Sequence, residues 1–272
     1  MNHISASAVR KAEPLIDIKS ADISKKAKRT WKRQFLSIVI LMLVAALSTP
    51  VLVTWVGNLW IDQNKLDHVE QLATGSYVKL DEMPEYVWQS FVSIEDHRFW
   101  KHHGVDFVAL ARAVWADIQA GSYVQGGSTI TMQLARNLFL TQDKTMMRKA
   151  KEIAIAYQLE LRYSKKELLE MYLNVIYFGH GRNGIGSASQ LYFGKEMHRT
   201  GSTAITLGEA AILASLPKAP ETYSPLNDWQ KAKQRQAVVL GRMVELGVIT
   251  KAQKRQAQTD TVATERSETP AS

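Results

Sequence analysis

The chain has 272 residues, with 34 Lys and Arg against 26 Asp and Glu for a net charge of +8, and no cysteine. That length buries a real core in one large domain or two small ones. The missing cysteines exclude a disulfide framework and a cysteine metal site, and the positive balance points to anionic partners: nucleic acid, phospholipid or a phosphorylated substrate.

Residues 1–33 are polar and basic, and Phe35 to Val56 then run without a charge. Roughly 20 apolar residues at ~1.5 Å each match one bilayer crossing, with Trp31, Trp55 and Trp60 placed as interfacial aromatics. A cleaved signal peptide competes with this reading, but the run is too long and lacks an obvious small-x-small cleavage site. The expected division is a cytoplasmic basic tail over 1–33, a single-pass anchor over 34–57 and a linker over 58–74. A catalytic domain over 75–258 and a flexible tail over 259–272 follow. The basic side stays inside, so the domain faces outward. That disfavours nucleic acid and leaves lipid or cell-wall material.

Beyond a short extended piece, Ser76 to Leu80, helical signals dominate. Pro84 opens a helix with Val87, Phe91 and Ile94 on one face. Asp106 caps a second, with Phe107, Leu110, Ala111, Val114, Trp115 and Ile118 on one stripe and Gly121 at its end. Such a stripe is ordinarily core; the other reading is a face lying in a membrane surface. Ser128 caps a third helix. A fourth spans Thr145 to Tyr163, its apolar set being Met146, Ala150, Ile153, Ala154, Tyr157 and Leu161. Capping boxes at Ser164–Glu167 and Thr206–Glu209 start two more, the first through about Phe178, the second halted near Leu216 by Pro217. Asp228 caps a last helix, stopped by Gly247. The fold class is mainly α.

Three stretches carry chemistry. Glu95 ends an apolar helix, where partial burial raises a carboxylate pKa towards general-base use; pairing with Arg98 is the plainer alternative. Asp96 points elsewhere and suits an orienting role. His97, His102 and His103 match no common zinc spacing, and His102 is better cast as bracing the turn at Gly104. Gly126-Gly127-Ser128-Thr129 lets backbone approach a ligand and aims helix-start amides at it, or is simply a turn and cap. Gln133 and Arg136 extend that lining. Arg148 and Lys149 lie within one turn of Glu152.

The chain resembles the peptidoglycan glycosyltransferases of glycosyltransferase family 51. The resemblance rests on Glu95-Asp96-x-x-Phe99-x-x-His102-x-Gly104, Gly127-Ser128-Thr129-Ile130-Thr131-Met132-Gln133 and Arg148-Lys149-x-x-Glu152. Glu167 to Asn174 and Glu209 to Pro217 add two further motifs. Met132 replaces a glutamine common in the family, which implies one amide fewer in the cleft lining, and 198–203 looks inserted. The resemblance implies a lysozyme-like, two-lobed helical domain with one N-terminal transmembrane helix, in the bacterial inner membrane with its catalytic domain in the periplasm. It implies lipid II and a lipid-linked glycan strand as substrates, β-1,4 transfer with inversion, and release of undecaprenyl diphosphate. Glu95 would be the base and Glu152 the second catalytic carboxylate. Asp96, Phe99, His102, Gly127, Ser128, Thr129, Thr131, Gln133, Arg136, Arg148, Lys149 and Asn174 would bind substrate, with Lys144 a lesser cation. Glu152 could help hold a divalent cation, Mg or Mn; no organic cofactor is implied. Cell-division or elongation proteins are candidate partners. The chain stops short of the transpeptidase domain of bifunctional relatives, which is expected to be absent. A wall-cleaving muramidase and a non-catalytic scaffold are the rival readings.

Overall fold

In the computed structural model the described residues are 57–73, 77–121, 126–141, 143, 145–197 and 204–260. The basic tail, the expected anchor up to Val56, residues 122–125, Lys144, the 198–203 segment and 261–272 lie outside them. Among the described residues no helix is long and apolar enough to cross a membrane.

The described chain is helical, with isolated bridges and no strand. Asp62 caps α1 (Gln63–Asp67) through a bond to the Asn64 amide, and a 3-10 turn follows at Val69–Leu72. α2 is Glu85–Glu95 and α3 is Phe107–Ala120, capped by Asp106 and ended by left-handed Gly121. α4 (Ile130–Phe139), α5 (Met146–Arg162) and α6 (Lys165–Val175) come next. α7 (Ile185–Phe193), α8 (Leu207–Leu213) and α9 (Pro220–Tyr223) lead to α10 (Trp229–Glu245) and α11 (Lys251–Asp260).

α4 is the axis of the domain. Ile130, Leu134, Ala135 and Leu138 are buried around it, as expected of a helix enclosed on most sides. It packs on α5 and α6, while α2 packs on α8 and α10. Glu95, the last residue of α2, therefore comes out where these two groups of helices meet.

Both expected capping boxes form, at Ser164–Glu167 and Thr206–Glu209. Other expectations are corrected. Residues 58–73 of the expected linker are folded: Leu66 is buried and the Val69–Leu72 turn packs on α6. At the extended piece, the N–H and C=O of Val78 are paired by the Asn174 side chain, at 2.9 and 2.8 Å. Thr129, not Ser128, caps α4. The helix from Ser164 ends at Val175, short of Phe178. The apolar face expected on α5 holds at its middle, where Ala154 is buried and Ile153 and Tyr157 pack on Val105, Met132 and Ala156, but Met146, Ala150 and Leu161 are exposed and the buried set also takes in Glu152, Ile155, Ala156 and Leu159. α7 and α11 were not anticipated.

Of the stripe expected on α3, Phe107, Ala111, Trp115 and Ile118 are exposed, Trp115 by 63%, and Leu110 is half-buried, while the Val114 side chain lies outside those described; Val108 beside them is exposed too. Ala113 is the buried member among the described side chains of that helix.

Candidate active site

Glu95 is partly buried at the end of α2. Its Oε2 accepts a 2.8 Å hydrogen bond from Gln133 Nε2 on α4. Desolvation raises its pKa; the Gln133 bond, then the charges of Arg235, Arg136 and Lys218, pull it back. The expectation of a carboxylate raised by its apolar surroundings holds. Arg235 on α10 and Lys218 in the 3-10 turn at Leu216–Lys218 were not singled out from sequence. Arg235 flanks the buried Ala232–Gln236–Val239 stripe, a position where an arginine is a usable signal.

The second cluster lies on α5. Glu152 is fully buried. Its Oε1 receives Arg148 Nη1, and its Oε2 receives Lys149 Nζ at 2.9 Å. Lys149 Nζ also donates to Ser128 Oγ at 2.7 Å, tying the segment before α4 to α5. Arg148 Nε donates to the Asp143 carbonyl. Arg148, Lys149 and Glu152 are thus brought together as the spacing implied, with Ser128 added by the fold, while Arg136 acts on Glu95.

Asp96 joins the two regions. Its carboxylate accepts from the Ile130 amide at 3.0 Å and pairs with His102 Nε2 at 2.9 Å. Thr129 donates its hydroxyl to the Gly104 carbonyl and accepts from the Met132 amide. Thr131 donates to Glu160. Phe99 is wholly buried, edge-on to Trp100. A Cβ on Gly127 would stand 3.1 Å from Leu110, so that glycine accommodates α3, whereas Gly126 faces open space. Asp96, Phe99, His102, Thr129, Thr131 and Asn174 are therefore committed to internal contacts. Met132 packs with Val105 and Ala156, so its departure from the family pattern does not strip an amide from a polar lining.

A divalent cation at Glu152 does not fit these residues. Both carboxylate oxygens are held by cations, and among the described residues no group of three His, Cys, Asp or Glu could hold a metal.

A mostly helical domain thus holds one desolvated carboxylate within the field of three cations and a second clamped by two more. The transglycosylase family model matches residues 62–244. The chain belongs to that family, the peptidoglycan transglycosylases of glycosyltransferase family 51. It is 44% identical to penicillin-binding protein 1F of Bacillus subtilis, over 88% of this chain and 36% of that one. Against penicillin-binding protein 1A of Escherichia coli the figures are 45%, 68% and 21%. A Cupriavidus necator protein provisionally named a transglycosylase is 37% identical over 82% of this chain and 94% of its own. The chain thus spans about a third or less of the penicillin-binding relatives.

Proposed function

We propose that the protein polymerises lipid II into peptidoglycan glycan strands. Glu95 removes the proton from the acceptor sugar's 4-hydroxyl. That oxygen forms a bond to the donor's anomeric carbon as the bond to the diphosphate oxygen breaks on the opposite face. The product is a β-1,4 link with inversion, and undecaprenyl diphosphate leaves with the electron pair. A sugar hydroxyl needs a placed base, and the departing diphosphate needs positive charge already aimed at it. The observation that carries this reading is the Glu95 site itself: a carboxylate raised by burial, with Arg136, Arg235 and Lys218 around it. Lys149 and Arg148 supply a second set of cations for phosphate. A cleft between two lobes, as in lysozyme, would hold donor and acceptor on either side of Glu95.

Incubation with lipid II alone is the test. Long glycan chains and free undecaprenyl diphosphate are the expected products. Release of muropeptides from finished wall, with no polymer from lipid II, would replace this reading by a wall-cleaving one.

The exposed face of α3 supports a membrane-surface setting, with the anchor at 34–57 holding the domain outside the cytoplasm. Phe107, Val108, Trp115 and Ile118 stand within about one quadrant of the helix wheel, with Arg112 exposed at the margin. Such a face binds an interface by buried apolar area plus attraction to anionic headgroups. Trp115→Glu together with Phe107→Glu is expected to weaken sedimentation of the domain with anionic phospholipid vesicles about tenfold or more, since burying an aromatic side chain contributes about 1.5–3 kcal/mol. Unchanged sedimentation would show that this face does not touch lipid.

A further inference from the structure

We infer that Gln133 and Tyr172 are a positioning pair for Glu95, Tyr172 holding in place the amide whose other end meets the carboxylate. The inference rests on Glu95 acting as the base and adds how that base is aimed.

Tyr172 lies on α6, wholly buried, and its hydroxyl donates to Gln133 Oε1 at 3.3 Å. Gln133, itself buried on α4, turns its Nε2 to Glu95 Oε2 at 2.8 Å. An amide has one donating and one accepting end. Reversed, Gln133 would set its carbonyl oxygen against the carboxylate, two acceptors face to face. The carboxylate, which only accepts, selects the Nε2 end, and the tyrosine hydroxyl then anchors the carbonyl end by donating to it. It keeps the proton it donates, because burial and the neighbouring Glu95 push its pKa well up, with Arg136 opposing and Asp96 adding to the rise. One oxygen of Glu95 is then committed to the protein, and the other is left for the incoming hydroxyl.

This reassigns Gln133 from substrate lining to the support of the base. Its donated bond also stabilises the ionised carboxylate, alongside Arg235 on α10, Arg136 on α4 and Lys218 in the turn after α8. Loss of that bond leaves burial less opposed, so the proton is held to higher pH.

The experiment measures kcat and KM for lipid II from about pH 5 to about pH 9 in Gln133→Leu and in Tyr172→Phe, which keeps the ring. For Gln133→Leu the acid limb of kcat is expected to move up by about one pH unit, tenfold in rate on that limb, with KM within about twofold of the parent. Tyr172→Phe should shift the limb in the same direction by less, with thermal melting showing a folded domain. A raised KM with an unmoved limb would make Gln133 a substrate contact and overturn the inference, as would a Tyr172→Phe profile identical to the parent's. Glu95→Gln separates the two levels: if it polymerises normally, the base itself is misassigned. If it is dead while the Gln133→Leu limb stays put, the pair alone is.

Discussion

Glu95→Gln is expected to lower glycan-strand formation by roughly 10²–10⁴-fold, the range a positioned general base supplies, with the fold intact. The substitution keeps the shape of the side chain and an oxygen that can still accept from Gln133, but removes the proton acceptor. Desolvation at the end of α2 is the leading influence on Glu95 and raises its pKa. Activity that needs the ionised form therefore rises as pH climbs through that raised value, giving an acid limb above that of an ordinary glutamate. Stability has the opposite sign. Between the unfolded and the raised folded pKa the native state holds more proton than the unfolded chain, so stability falls as pH rises through that window. Burial opposes the ionised form of Glu95, so Glu95→Gln should melt no lower than the parent. Near-normal polymerisation by this variant would remove Glu95 from the chemistry. Inactivity with a sharply lowered melting temperature would assign the loss to unfolding instead.

Glu152→Gln is expected to weaken both stability and rate. The carboxylate is fully buried, while its partners keep some water, Arg148 with 16% and Lys149 with 31% of the side chain exposed. Removing one member of a buried pair typically costs about 3–5 kcal/mol; the residual hydration of the two cations reduces this to roughly 1–3 kcal/mol, comparable to stranding a buried polar group. Without the negative charge, Arg148 and Lys149 lose their common anchor and Lys149 its fixed reach to Ser128. In the proposed reaction, cations that await the diphosphate then have to be gathered during the reaction, at a cost of about 10²–10³ in kcat if they act like other preorganised groups of this kind. Thermal melting and single-turnover rates with lipid II read the two effects separately. A variant that melts and turns over like the parent would show that the clamp serves neither.

What the sequence disclosed follows from how local each cause is. Asp106, Ser164 and Thr206 were readable as caps because a cap bonds to amides two or three residues away. α11 carried the same kind of signal, Thr250 with Gln253, whose reciprocal bonds form and were overlooked. α7 offered no cap to read, since Gly184 turns into it with a φ of +89° and no side-chain bond. On α5 the periodicity misled, because a charged residue stands in the buried face and its burial is set by Arg148 and Lys149 rather than by hydropathy. The α3 stripe misled in the other direction: amphipathic spacing does not say whether protein covers the apolar side. Glu95, Arg148, Lys149 and Glu152 were recognisable from motifs. Arg235 and Lys218 reach Glu95 only because α2 packs on α8 and α10, contacts across more than a hundred residues that leave no mark in nearby sequence.

The carboxylate of Asp96 meets both His102 and the opening amide of α4, and so binds the neighbour of Glu95 to the helix that carries Gln133. Glu95 and the amide that steers it therefore share one foundation and cannot drift separately. Inheritance should treat these positions as a linked set, since a lone change in the foundation displaces two working groups at once and a viable lineage has to alter them together.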